Sequence, residues 1–379
     1  MKKNNIKLIL FSFSIVISFS FLVNKSILPG FKPETSSREN IDLIRKVVTL
    51  INSEYIEEVN PSKTMNGAFK GLVNHLDILS AYLNKDDVIK YKHRKDQDMK
   101  DIGVILYKSY NLYPIIIGIK KNSPAEKVKL QIGDTISQIN GQSTLLMSLS
   151  ELYLRLKDKE KKEINLTIIE KNKTKEFKIK RRKLFTKPFS LSEFEKEGKI
   201  IKINHFFPPL SEHIKKDLIP QLKKEKGVLV LDLRNCYEGD IEEASEFINN
   251  FLQAKKIGYI KKKDKKNQII SCPDKAELSE LKLVVWTNQA TMGPSEIVAG
   301  VLKEFKKAKV IGHQTLGMTA QQELFPLEDG TGILLTSGIF YLASGKKLWA
   351  TGIKPDIKIN TETQDYKTYR KKTISLLTK

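Results

Sequence analysis

Cysteine is scarce in this chain: Cys236 and Cys272 are the only two among 379 residues. They form no CxxC pair and no Cys/His cluster, which argues against a zinc site. A disulfide between them is compatible with a location outside the cytoplasm, but spacing alone does not establish it. We predict neither a metal nor a cofactor.

Arginine is also scarce, so lysine supplies most of a formal net charge of +22. The lysines are spread along the chain, whereas nucleic-acid readers rely on arginine and clustered basic faces. No RNA- or DNA-binding motif is present, and we predict no nucleic-acid partner. The simplest interpretation is a solvated lysine-rich surface. The alternative is a weak attraction to an anionic membrane surface.

The N-terminus reads as an export signal over residues 1–25. Three lysines precede an apolar run at residues 8–23, which is slightly short for a full membrane span. No A-x-A-like cleavage site follows the run, so we expect it to stay as an anchor. The lysines should remain in the cytoplasm, placing the rest of the chain in the cell envelope or periplasm.

The remainder divides into three segments. Residues 26–98 begin as a polar linker and become helical, because apolar residues recur at three- and four-residue steps in "MNGAFKGLVNHLDILSAYL". Residues 99–185 are rich in β patterns, with a short helix capped by Ser123 and started by Pro124, and a turn at Asn140–Gly141. Residues 186–379 alternate strands and helices around "GVLVLDLRN" and "LKLVVWTNQ", a pattern typical of a parallel-containing α/β layer.

The middle segment resembles a PDZ domain of the kind embedded in exported proteases. In such domains an extended peptide adds to a sheet edge while its C-terminal carboxylate sits among backbone amides. The resemblance implies that the matching loop in this chain is "DIGV", formed by Asp101, Ile102, Gly103 and Val104.

The whole order of motifs is similar to that of the C-terminal-processing serine peptidases, also called tail-specific proteases. The motifs are "GAFKGLVNHLDILSAYL", the PDZ-like unit, "LVLDLRN", "SEIVAG", "GHQTLG", "LTSGIFY" and "GIKPD". The resemblance implies an α/β core of crotonase/Clp-protease type, an inserted PDZ domain that is β-rich with two helices, and an N-terminal helical region.

The family uses a serine nucleophile, a lysine base with a depressed pKa and a glutamine that orients the lysine. The resemblance places the serine three residues before Glu296, where this chain has Gly293. The lysine position holds Met318, and 318 − 293 = 25 is the spacing that the motif pair requires. Gln322 remains at the orienting position.

The oxyanion hole implied by the resemblance is also altered. The residue after the lost serine is Pro294, which has no N–H to donate. The family turn after "LDLR" reads Asn-Pro-Gly-Gly, and here Cys236, Tyr237, Glu238 and Gly239 occupy it. We expect the Glu238 carboxylate to oppose a developing negative charge.

These losses predict a pseudopeptidase that binds extended or C-terminal polypeptide segments through its PDZ domain. Its partners would be polypeptides with free C-termini, the membrane through its N-terminal segment and, as a further candidate, an active peptidase. The alternative is an active serine peptidase in which Ser295 or Thr291 attacks and His313 is the base. A purely structural envelope protein is a third hypothesis, which a filled PDZ groove would favour.

Overall fold

The computed structural model describes residues 37–94, 99–170, 173–184, 187–195, 198–225, 227–360 and 365–378. The predicted anchor at residues 8–23 lies outside these ranges. Among the helices within them, none is both long enough and apolar enough to cross a bilayer.

The chain forms two compact units, Met1–Thr64 and Met65–Lys379. The first contains helix α1, Ser37–Glu54, and the start of helix α2, Pro61–Asn74. The predicted apolar face continues past the end of α2. The helix ends at Asn74, whose side-chain amide donates to the Leu146 carbonyl (2.9 Å) and accepts from the Tyr82 N–H (3.1 Å).

The second unit opens with the rest of α2, which strand β1, helix α3 and an antiparallel sheet of six strands follow. The sheet order is β3-β4-β5-β7-β8, with β6 attached to β5, and β2 pairs with β9 separately. Strand β3 therefore lies at an edge. The bounds are β1 Ala81–Leu83, α3 Lys85–Lys92, β2 Lys100–Asp101, β3 Val104–Tyr107, β4 Ile115–Ile119, α4 Pro124–Lys127, β5 Thr135–Ile139, β6 Gln142–Ser143, α5 Leu149–Leu156, β7 Glu163–Glu170, β8 Lys173–Lys180 and β9 Arg182–Lys183.

Local signals in this sheet region are confirmed. The Ser123 hydroxyl accepts from the Glu126 N–H at the start of α4, and Pro124 occupies the first helical position. Asn140 and Gly141, with φ of 50° and 76°, form the turn between β5 and β6. Alternate residues of β7 are buried, as expected for a strand with one face on a core.

The rest of the second unit is an α/β core with two sheets. One has the order β10-β11-β12-β15-β16-β19, parallel from β11 onward, and the other has the order β1-β18-β13-β14 with β17 on β18. Every residue of β12 is buried, as its unbroken apolar run predicts. The bounds are β10 Phe189–Phe194, β11 Gly198–Ile203, α6 Leu210–His213 with a π-helical turn Ile214–Leu218, α7 Ile219–Leu222, β12 Val228–Asp232, α8 Ile241–Asn249, β13 Ala254–Lys262, β14 Gln268–Cys272, β15 Lys282–Thr287, α9 Pro294–Glu304, β16 Ala308–Gly312, β17 Ala320–Pro326, β18 Gly332–Leu342, β19 Ile357–Lys358 and α10 Tyr366–Leu377.

Both cysteines are buried and free. The disulfide that the sequence left open is therefore not formed in this structure.

A buried arginine ties the end of α5 to the start of β7. The Arg181 guanidinium donates to the carbonyls of Leu156 (2.7 Å), Arg155 (2.9 Å) and Glu163 (2.6 Å). Only 5% of Arg181 is exposed. These carbonyls include orphan acceptors at a helix end, and a buried acceptor without a donor is costly.

We expect Arg181→Ala to lower the free energy of unfolding by about 2–4 kcal/mol, because it leaves several buried carbonyls without donors. Urea denaturation of the variant and the parent measures the change. Lys180→Ala, at the exposed neighbouring position, is the control and should stay within about 0.5 kcal/mol. Equal losses in the two variants would contradict the role given to Arg181.

Candidate active site

The turn that leads into α9 holds Gly293 at the position where the sequence analysis expects the family's serine. Gly293 has φ 61° and ψ −122°, a conformation that strains any residue with a side chain. A Cβ added there would have room, since its nearest neighbours are the Met318 carbonyl oxygen at 3.6 Å and the Tyr237 carbonyl oxygen at 3.9 Å. The positions predicted for serine and lysine therefore adjoin each other.

A buried carboxylate holds these two positions together. Glu296 Oε2 accepts from the N–H groups of Gly293 (3.0 Å) and Met318 (2.6 Å), and Oε1 accepts from the Gly317 N–H (2.5 Å). Burial raises the pKa of this carboxyl to about 7, although hydrogen bonds from Thr315 and from the three amides oppose the rise.

Met318 occupies the predicted lysine position as a packing residue. Its thioether contacts the cluster of Ile105, Ile117, Ala290 and Met292, which combines β3 and β4 with a core loop. A thioether neither donates nor accepts a proton at neutral pH.

Gln322, the predicted orienting residue, has other partners. Its amide donates to the Leu79 carbonyl (2.9 Å) and pairs with the Ser150 hydroxyl (3.1 Å). The residue is present, but it fastens β17 to its neighbours and meets no catalytic base at Met318.

The turn predicted to supply the second oxyanion donor is rebuilt around Glu238. Glu238 lies where the sequence analysis expects it to oppose a developing negative charge, and here it forms ion pairs with Lys120 (3.1 Å) and with Lys157 that compensate its charge. Burial alone would raise the pKa of the Glu238 carboxyl, but the two lysines outweigh it and hold the pKa far below the usual range. Gly239 is needed sterically, since a Cβ there would lie 2.4 Å from the Phe206 Cβ.

The loop predicted to receive a peptide carboxylate is already satisfied internally. Asp101, Ile102, Gly103 and Val104 are all buried, and Asp101 Oδ1 accepts from the N–H groups of Ile102 (2.6 Å) and Gly103 (3.1 Å).

The neighbouring strand edge is covered as well. The Tyr153 hydroxyl on α5 accepts from the Leu106 N–H (2.9 Å) and donates to the Leu106 carbonyl (3.3 Å). In this conformation one hydrogen-bonding position of the groove between β3 and α5, that of Leu106, is taken by the chain's own Tyr153.

The alternative nucleophiles have structural partners. Ser295 is fully buried, and its hydroxyl contacts the carbonyl oxygens of Cys236 and Met292. Thr291 is equally buried and contacts the Leu233 carbonyl (2.9 Å). A His313 ring nitrogen lies 3.3 Å from the Tyr369 hydroxyl.

A cavity of about 580 Å³ unites the altered positions. Its wall includes α5, the turn at Tyr237–Gly239, the Gly293–Pro294 turn and the segment Met318–Gln322. Within the described ranges, no group of three or more His, Cys, Asp or Glu side chains is arranged to hold a metal.

Comparison with known proteins shows to which family the chain belongs. A family model described as "Peptidase family S41" matches residues 199–359, and a "PDZ domain" model matches residues 115–170. A "Probable CtpA-like serine protease" of Staphylococcus aureus (strain MRSA252) is 30% identical over 331 residues, 86% of this chain. The chain belongs to the C-terminal-processing peptidase family. A protein of the same description in Staphylococcus haemolyticus is 28% identical over 85% of this chain.

A solved structure has the same fold as this family member. The "photosystem II D1 C-terminal processing protease" matches with a TM-score of 0.70 and 19% identity, over 86% of this chain and 90% of that one. The chain spans 66% and 65% of the length of the two staphylococcal relatives.

Sequence reasoning missed the bonds that order this site, namely the ion pairs of Lys120 and Lys157 with Glu238, the bonds of Tyr153 to Leu106 and those of the Glu296 carboxylate to three amides. Glu238 is a charged residue in a turn where the family has glycine. A charge that becomes buried needs an oppositely charged partner beside it. Which residues are the partners of Glu238 depends on how the PDZ domain packs against the core.

We expect Glu296 to make stability fall as pH rises. The pKa of its carboxyl is about 7 in the folded chain, against an ordinary value of 4.5, so the folded chain binds the carboxyl proton more tightly than the unfolded chain does. The resulting stabilisation is complete below the ordinary pKa and is lost as pH rises through the folded pKa, a change of about 3 kcal/mol. Urea unfolding of the parent and of Glu296→Gln is measured between about pH 5 and about pH 8. The free energy of unfolding of the parent should fall relative to that of the variant as the pH rises.

Glu323→Gln, an exposed carboxylate on β17, is the matched control and should follow the parent curve. A parent–variant difference for Glu296→Gln that stays constant with pH would show that this carboxyl does not titrate in the stated window.

Proposed function

We propose that this chain is a pseudopeptidase of the C-terminal-processing family, which holds extended or C-terminal polypeptide segments without cleaving them. The observation that carries the proposal is Gly293, a residue without a side chain in the strained turn where the nucleophile belongs. Its neighbour across the turn is Met318, which offers no base.

The oxyanion side supports the same conclusion. Pro294 follows the lost nucleophile and has no N–H. The turn that would carry the second donor holds the Glu238 carboxylate, fixed by two lysines. Removing one oxyanion donor typically costs about 10²–10³-fold in rate, and nucleophile and base add further large factors.

The displaced-residue alternative has less support. The Ser295 hydroxyl is bonded to two carbonyl oxygens and is inaccessible, so an acyl group could reach it only after the start of α9 rearranged. A ring nitrogen of His313 lies 3.3 Å from the Tyr369 hydroxyl, whereas the bonds of the Ser295 hydroxyl go to the carbonyls of Cys236 and Met292.

We also propose that the protein is exported and held at the membrane by residues 8–23. The lysines before the run and the absence of a cleavage motif support retention as an anchor. A tethered protein that retains polypeptides would act as an adaptor or as a companion of an active peptidase.

We expect the full chain in mild detergent to leave unfolded protein substrates intact and to resist labelling by a fluorophosphonate probe, because the candidate hydroxyls of Ser295 and Thr291 are buried and bonded to carbonyls. An active serine peptidase treated in parallel is the positive control. Gel electrophoresis follows cleavage, and mass spectrometry locates any label. Cleavage that disappears in Ser295→Ala, or a label on Ser295, would overturn the proposal.

A rebuilt variant provides the reverse test. Gly293→Ser, Pro294→Ala, Met318→Lys and Glu238→Gly together restore the four positions that the family chemistry needs. We expect probe labelling at position 293, with the free energy of unfolding reduced by about 1–3 kcal/mol by the strained φ and reduced further because Lys120 and Lys157 lose Glu238. No label in a variant with a native circular dichroism spectrum would show that more than these positions was lost.

A further inference from the structure

An ion cluster joins the PDZ domain to the rebuilt oxyanion turn. Lys120 directly follows β4, and its N–H donates to the Gly103 carbonyl (2.8 Å), so it adjoins the "DIGV" loop. Lys157 caps the C-terminus of α5. Both side chains converge on Glu238 of the core, and each of the three is less than 20% exposed.

The charges in this cluster balance only with Glu238 present. Two lysines face the carboxylates of Glu238 and Asp101, and both carboxylates raise the pKa values of the lysines against the effect of burial. Without Glu238, two ammonium groups would share Asp101 alone. The site would then carry one uncompensated positive charge beside a peptide groove.

Tyr237, the residue before Glu238, lies where the side chain of a bound peptide could lie. The Tyr237 ring stacks on the Tyr153 ring, with 5.5 Å between centroids and 22° between planes, and the Lys120 ammonium lies 4.9 Å from the Tyr237 centroid. An aromatic residue followed by a carboxylate therefore occupies the end of the groove between β3 and α5.

This occupancy is imperfect, which makes it displaceable. The Tyr237 hydroxyl is buried and has no hydrogen-bond partner among the described residues. A buried hydroxyl without a partner costs free energy as long as Tyr237 stays in this position. A ligand that displaces Tyr237 lets this hydroxyl reach water, which favours the exchange. The edge of β3 would become available to a peptide once Tyr153 releases Leu106.

We propose that Lys120 and Lys157 form a carboxylate-binding site at the end of the PDZ groove, which Glu238 fills as an internal ligand. The external ligand that competes for it is a peptide C-terminus whose penultimate residue is aromatic. The ring replaces Tyr237, and the terminal carboxylate replaces Glu238. This inference rests on the proposed peptide-holding function and specifies its ligand and its resting state.

The test measures binding of fluorescein-Ala-Ala-Ser-Tyr-Ala, with a free C-terminal carboxylate or as its amide, to the full chain in mild detergent. Glu238→Gln should bind the free-carboxylate peptide about tenfold more tightly than the parent, as expected if the internal ligand leaves the site open about a tenth of the time. The amide should gain much less. Fluorescence anisotropy gives both affinities.

Two further variants keep the result interpretable. Glu246→Gln removes a carboxylate from an exposed ion pair with Lys215 and should bind like the parent. Lys120→Met with Lys157→Met also undocks Glu238, but it should lose the preference for a free carboxylate. This double variant therefore distinguishes a gain in affinity that comes from opening the groove from one that comes from binding the carboxylate at the two lysines.

Each outcome bears on a different proposal. Equal affinity of the parent and Glu238→Gln, or an equal gain for the amide, would overturn the internal-ligand inference while leaving peptide holding intact. Binding to none of these proteins, with native circular dichroism spectra throughout, would overturn both proposals.

Discussion

The carboxylate of Glu296 is the constraint on which the architecture of the cleft depends. It gathers three amide N–H groups from two turns that are more than 20 residues apart in sequence. A buried carboxylate with that many donors fixes the turns in position, and removing it would strand the donors away from water. This network uses the backbone amides of positions 293 and 318 and not their side chains, so it holds the backbone of the site whichever side chains stand there.

Met318, Glu238 and Tyr237 take part in a contact between the PDZ domain and the core. Met318 adds an apolar side chain to a cluster shared by β3, β4 and the loop before α9. Glu238 adds the ionic half of the contact and Tyr237 the aromatic half. A working dyad requires a desolvated amine and a strained hydroxyl, both of which oppose stability, whereas a thioether and a glycine at the same places do not.

Much of the fold could be predicted from the sequence, because its signals are local. The buried run in β12, the cap at Ser123 and the turn at Asn140 depend on neighbouring residues, and the 25-residue spacing between positions 293 and 318 aligns the site with the family. The partners of Glu238 could not be predicted. They lie 118 and 81 residues away, and only the docking of the PDZ domain brings them together. Asp101 was an accessible signal, since aspartate readily bonds the amides that follow it in a turn.

The ion cluster contributes more to orientation than to stability. Burying charges costs several kcal/mol per ion, and mutual attraction repays that cost only when the geometry is good, so such clusters add little net stability. Loss of one partner leaves an uncompensated buried charge and is costly, which disfavours every arrangement of the PDZ domain except the one that pairs Lys120 and Lys157. A carboxylate delivered by another chain satisfies the same requirement. An exchange between internal and external carboxylates can therefore be close to balanced in free energy, and modest differences in ligand affinity are then sufficient to shift the equilibrium.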